Sequence, residues 1–112
     1  MEDLYDILQT IKNEPYRLGR RSIFNLEAFF LGYNHAMRNT QSPTYKKYRQ
    51  EFSELIQWIR NKYDAGKSCA WSSVILFYSE DEKDALDNFF KLVDEFLNEK
   101  IEKDESDSKY LD

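Results

Sequence analysis

Residues 69–78 read Cys-Ala-Trp-Ser-Ser-Val-Ile-Leu-Phe-Tyr, and the fold class turns on whether they form a strand or a helix. Their β-branched and aromatic content suits a buried strand. A buried strand needs a partner, because its backbone N–H and C=O groups must be hydrogen-bonded. No other segment of comparable length alternates with period two. The stretch therefore reads as a short, mostly buried helix, with a strand as the alternative.

The segments on either side have helical periodicity. Upstream, Tyr45, Tyr48, Phe52, Leu55 and Ile59 recur at steps of three and four over residues 43–63, the strongest pattern in the chain. Ser42 is a candidate cap there, with Pro43 at the first helical position, and Asp64-Ala65-Gly66-Lys67-Ser68 breaks the helix. Downstream, Leu86, Phe89, Phe90, Val93, Phe96, Leu97 and Ile101 share one face of a helix over residues 80–102. Ser79 and Glu82 have capping-box spacing. Residues 103–112 are polar and read as a frayed acidic tail.

Nearer the N-terminus, Ile23, Leu26, Phe30, Tyr33 and Met37 make a stripe over residues 23–38, widened by Phe29 and Ala36 and capped by Ser22. Gly32 interrupts it, which suits a close backbone approach or avoids a clash. Leu4, Ile7, Leu8 and Ile11 do the same over residues 2–13 until Pro15 stops them. In the connector 14–22, Gly19 permits a positive φ. The expectation is an all-α, compact single-domain bundle of about five helices over residues 1–102. Phe30, Phe52, Leu55, Ile59, Phe89, Val93 and Phe96 should be buried.

Composition agrees. A chain of 112 residues fits one domain and can bury roughly two-thirds of its surface. Aromatic residues make up 16%, which argues against disorder despite a mean hydropathy of −0.78. No apolar run approaches the ~20 residues that span a bilayer. The start Met1-Glu2-Asp3-Leu4 lacks the basic and apolar regions of a signal peptide. The expectation is a cytoplasmic protein with no membrane partner. One cysteine, Cys69, excludes an internal disulfide framework and a multi-cysteine zinc site.

Candidate chemistry is sparse. His35, the only histidine, has no acid at helical spacing and reads as a polar surface residue. Cys69 has no histidine near it in sequence and reads as a small buried hydrophobe. Both should be dispensable. No catalytic motif, metal site or cofactor site is expected. Arg17, Arg20 and Arg21 resemble a weak phosphate contact, but pairing with acids of the first or last helix is the better reading. Trp58 lies ~120° from the Phe52 direction, among Lys47, Glu51, Glu54 and Lys62. Coverage by the first helix or the 64–70 loop is the first reading. An exposed interface anchor is the second.

Charge says more. Residues 1–78 carry a net +3 and residues 79–112 a net −8, which together give the chain's −5. Such an acidic third repels nucleic acid, since phosphate binding needs Lys and Arg, and steers encounter with a basic protein. On the last helix, Glu80, Asp81, Asp84, Asp87, Glu95, Glu99 and Glu102 lie at the start or off the apolar stripe. With Trp58 they are the candidate partner-binding residues. A monomer is expected.

One further signal spans residues 11–97. Pro15-Tyr16-Arg17-Leu18-Gly19 is followed by Ser22-Ile23-x-x-Leu26-x-x-Phe29-Phe30-x-Gly32-Tyr33. Later come Ile59-Arg60-Asn61-Lys62-Tyr63, the segment Trp71 to Tyr78, and an acid-started diphenylalanine helix from Glu80 to Phe96. This order resembles small acidic bacterial immunity proteins of contact-dependent growth inhibition and related polymorphic toxin systems. Tyr16 and Arg17 stand where glycine and methionine often occur in that group. The resemblance implies an all-α, non-catalytic inhibitor that binds a cognate toxin domain, with a nuclease the foremost type. An acidic surface would occlude the toxin's basic active site. The alternative is a non-catalytic adaptor or regulator that binds another basic protein. Immunity proteins diversify with their toxins, so the resemblance assigns no contact residues.

Overall fold

The computed structural model describes residues 3–109, with side chains described for residues 3–105. The described residues are all helical or connecting, with no strand. The helices are α1 (Leu4–Asn13), α2 (Ile23–Met37), α3 (Pro43–Lys62), α4 (Trp71–Phe77) and α5 (Glu82–Lys109), with a 3-10 turn at Pro15–Leu18. The ambiguous segment is thus a helix, and its boundary falls two residues later than its first apolar residue. Trp71, Val74 and Ile75 of α4 are buried at the i, i+3, i+4 spacing of one helical face.

Local signals set most boundaries. Ser22 Oγ accepts from Phe24 N at 3.1 Å and Ser42 Oγ from Tyr45 N at 3.4 Å, so both expected caps form. Gly19 has φ +80°, and the Asn25 amide pins the turn by donating to Leu18 O at 2.8 Å. At the end of α3 the left-handed residue is Asp64, φ 52°, with Ala65 N bonded to Arg60 O at 2.8 Å and Asp64 N to Asn61 O at 3.2 Å. That is the helix stop usually built on glycine. Aspartate tolerates it.

Other expectations are corrected. A Cβ on Gly32 would meet nothing within 4 Å, so neither close approach nor a clash explains that glycine. Ala36 is exposed rather than part of the buried stripe. α5 continues through Lys109, beyond the expected end at 102. The part of the expected tail at residues 110–112 lies outside the described residues. Phe52 is half-buried at the edge of the core, while the other six expected core residues are buried.

The core is an aromatic chain that crosses four helices. Tyr45 stacks on Tyr48 (5.7 Å between centroids), Tyr48 on Phe52 (5.9 Å) and Phe30 tilts onto Phe52 (4.9 Å). Phe52 meets Trp71 edge-on at 6.2 Å, and Trp71 meets Phe89 at 5.4 Å. These offset and edge geometries are the favoured ones for aromatic pairs. α5 packs on α2, α3 and α4, while α1 packs on α3 from another side. Two hydroxyl–carboxylate bonds fasten α2 into this frame. Ser22 donates to Glu82 of α5 at 2.9 Å, and buried Ser72 of α4 donates to Glu27 at 2.7 Å.

Candidate functional site

The expected acidic face divides into three groups. At the start of α5 the acids cap the helix. Asp81 Oδ1 accepts from Asp84 N at 2.8 Å, and Asp84 Oδ2 accepts from Glu80 N at 2.9 Å. This reciprocal pair replaces the box expected from Ser79 and Glu82. Ser79 instead donates to Ile75 O at 2.7 Å, and Glu82 is held by Ser22. Further along, Glu95 pairs with Lys62 and Glu99 accepts from Trp58 Nε1 at 2.6 Å, so both face α3. Asp87 and Glu102 are exposed and make no hydrogen bond or ion pair among the described residues. The candidates do not gather at one point. From Asp84 to Glu102 the helix rises ~27 Å.

Trp58 is half-buried. Its ring packs at 5.7 Å on Phe96, with Lys62 Nζ 5.4 Å from its centroid. The cover is α5, not α1 or the 64–70 loop. With its indole N–H taken by Glu99, Trp58 fastens α3 to α5 rather than standing free as an anchor. His35 is exposed on α2 as expected. Cys69 is exposed in the loop before α4, not buried. Its carbonyl accepts from Arg60 Nη1 at 2.7 Å. Arg17 pairs locally with Glu14, and that contact holds the Glu14 carboxyl below its ordinary value. Arg20 and Arg21 make no ion pair with α1 or α5 among the described residues.

The surface that sequence reasoning missed is the corner between α4 and α5. Phe77 is 81% exposed and Tyr78 56%. The two rings meet edge-on at 5.0 Å, and Tyr78 stacks on Tyr63 at 4.6 Å. Acids Glu80 and Asp81 follow directly in the chain. A helical wheel holds the signal, since Phe77 lies ~120° around α4 from Trp71. Phe24 and Leu31 also leave α2 apolar on its outer side, while Phe29, ~140° around the helix and expected to widen the buried stripe, is 38% exposed. Exposed aromatics in a polar setting mark protein-binding surfaces.

No protein-family model matches this chain, and no curated protein or solved structure matches it.

One charged residue, Glu51, is buried instead of solvated. The helical wheel places Glu51 beside Trp58 with Lys47, Glu54 and Lys62, and it is 7% exposed. Contact of α3 with α1 covers it. Neither carboxylate oxygen has a hydrogen bond, and neither does the buried Tyr5 hydroxyl. Burial raises the Glu51 pKa, with Asp3 and Glu54 adding to the effect and Lys47 and Lys100 opposing it. Burial and then the charge on Glu51 push Tyr5 up to about 12.

The raised Glu51 pKa has a stability sign. The folded protein holds this proton more tightly than the unfolded chain, so ionisation above the folded pKa lowers stability. The loss fades as pH falls through the carboxylate range. Glu51→Gln leaves an equally unpaired polar group but removes its charge, so it is expected to exceed wild type by on the order of 1 kcal/mol at neutral pH, the excess cost of burying a charged over a neutral group. The advantage should vanish below about pH 4, where the unfolded carboxyl is also protonated. Urea denaturation of both proteins across that range measures the difference directly. A constant difference at every pH would contradict it.

Among the described residues no helix is long and apolar enough to cross a membrane, and no group of three His, Cys, Asp or Glu is placed to hold a metal ion.

Proposed function

We propose that this chain is a non-catalytic immunity protein that binds and neutralises a basic bacterial toxin domain, with a nuclease domain the foremost case. The observation that carries this reading is the aromatic corner at Phe77 and Tyr78, set at the start of the acidic segment. The two features act at different stages of binding. Acids such as Glu80, Asp87 and Glu102 raise the encounter rate with a cationic surface. Exposed aromatic rings supply apolar area that is desolvated only in the complex. A carboxylate-rich surface seated in a basic cleft also occupies the place of substrate phosphates. The sequence resemblance to immunity proteins points the same way. A regulator of another basic protein is the second reading, favoured by the same corner.

The experiment is inspection of the gene's neighbourhood for a toxin fragment ending directly upstream, co-expression with that fragment, and pull-down at two salt concentrations. A one-to-one complex whose association slows as salt rises, with loss of toxin activity, supports the proposal. Toxin activity unchanged at excess inhibitor overturns it. Capture of a different basic protein, with no effect on the toxin, moves the assignment to the second reading.

A further inference from the structure

α2 is apolar around most of its circumference. From Ile23 to Met37 its only Asp, Glu, Lys or Arg is Glu27, whose carboxylate accepts from Ser72 of α4 at 2.7 Å. A helix apolar all round is ordinarily covered on every side. One side of α2 is buried through Ile23, Leu26 and Phe30. The other side is open. Phe24 is 38% exposed and Leu31 64%, and Ala28 and His35 are exposed in line with them. These four recur at steps of four, three and four, the ~3.5-residue average of a seam between two helices. Beside the seam lies Gly32, exposed, where a Cβ would meet nothing within 4 Å. Glycine destabilises a helix interior, and nothing among the described residues requires it there.

We propose that a second copy of this chain covers the face, with the two α2 helices running parallel about a two-fold axis. The monomer expected from sequence is then the state of dilute solution. Charge selects the occupant. A basic partner is attracted by acids, and the seam from Phe24 to His35 carries none. A two-fold contact sets a patch against itself, so a patch without Asp, Glu, Lys or Arg meets its own copy without repulsion. Arg38 ends that stretch. Shape fixes the direction. With Ala28 as centre, Leu31 lies ~60° to one side and Gly32 ~40° to the other. A two-fold axis along the helices exchanges the two sides. Leu31 of each copy then comes opposite Gly32 of the other, within the ~1.5 Å rise of one residue. The leucine is the knob and the missing side chain is the hole. Ala28 falls on the axis, where a small residue lets the backbones approach. An antiparallel pair would crowd both Phe24–Leu31 ridges onto one side. The contact is small. A standard interface buries ~800 Å² per partner, and one face of a helix of 15 residues, ~22 Å long, offers less. The dimer is therefore weak, with a dissociation constant on the order of 100 µM. This inference does not rest on the proposed function.

The test is sedimentation equilibrium of the full chain from micromolar to millimolar concentration, with NMR on mixed labelled and unlabelled protein. The average mass should climb from 13.5 kDa towards twice that value. An intermolecular contact from the Leu31 methyls to Gly32 is expected. Leu31→Glu should stay monomeric throughout, with unchanged circular dichroism because Leu31 is exposed. Gly32→Leu separates shape from apolarity. It adds apolar surface and a better helix former, so it should melt no lower than wild type, yet dimerise at least tenfold more weakly because the hole is filled. A mass that stays at 13.5 kDa up to millimolar concentration overturns the dimer. So does dimerisation unaffected by Leu31→Glu. Gly32→Leu dimerising as tightly as wild type overturns the parallel arrangement. If the chain is monomeric throughout and Leu31→Glu loses the toxin fragment, the face belongs to that partner and the dimer is refuted, while the proposed function stands.

Discussion

Phe89→Ala is expected to lower stability by about 3–5 kcal/mol, the usual range for deleting a buried phenylalanine ring. Phe89 is fully buried on α5, 5.4 Å from Trp71 and 5.5 Å from Phe90. Through Trp71 it supports α4, a helix of 7 residues. An isolated helix that short does not persist in water. α4 therefore exists because Trp71, Val74 and Ile75 pack on the rest, and Phe89 forms much of that floor. Domains of this size are stable by only ~5–15 kcal/mol, so the variant should be near its folding limit. At roughly 4–8 °C per kcal/mol, the melting temperature should drop by about 12 °C or more. Amide exchange should accelerate first at residues 71–77. Phe77→Ala, on the exposed side of the same helix, should stay within about 0.5 kcal/mol of wild type. A Phe89→Ala protein that melts within a few degrees of wild type would mean that the aromatic chain does not carry the core.

What the sequence makes legible here follows from how local each cause is. The apolar phase of α3 and the caps Ser22 and Ser42 depend on residues within one or two turns, and the fold keeps them. The helix at residues 71–77 follows by exclusion, since no second strand exists to pair with it. The cap of α5 illustrates the opposite case. Ser79 and Glu82 have the right spacing, but Glu82 is claimed by Ser22, sixty positions away. Asp81 and Asp84 then take the cap, a competition that no local window reveals. The element that covers Trp58 and the burial of Glu51 are missed for another reason. A helical wheel assumes one buried side, whereas α3 packs against α5, α4 and α1 at different places. Trp58 is covered from one of these sides and Glu51 from another. The acidic face was legible in its charge and not in its geometry. Glu95 and Glu99 stand off the apolar stripe, yet Lys62 and Trp58 reach across to them.

Phe77→Ala should carry the largest loss of binding among surface variants, about 2–4 kcal/mol in toxin affinity, or roughly 30- to 1,000-fold, as for an interface hot spot. The expectation follows from desolvation. A ring that is 81% exposed in the free protein gains most when a partner covers it, and Tyr78 stacked on Tyr63 holds its neighbour in place. The low entropy of an aromatic side chain adds to this, because few rotamers are lost on binding. The loss should appear in the dissociation rate. Asp87→Lys gives the contrasting signature. Asp87 is exposed and makes no hydrogen bond or ion pair among the described residues, so its reversal leaves the fold intact and removes only long-range attraction. It should slow association several-fold, flatten the salt dependence and leave dissociation nearly unchanged. Asp84→Lys and Glu95→Lys do not isolate this effect, since one breaks the α5 cap and the other the tie to Lys62. Surface plasmon resonance at two salt concentrations separates the rates. If Phe77→Ala and Asp87→Lys both bind like wild type, the α4–α5 corner is not the interface. Arg20 and Arg21, which make no ion pair among the described residues, then become the surface to vary, and a partner that meets them would be acidic rather than basic.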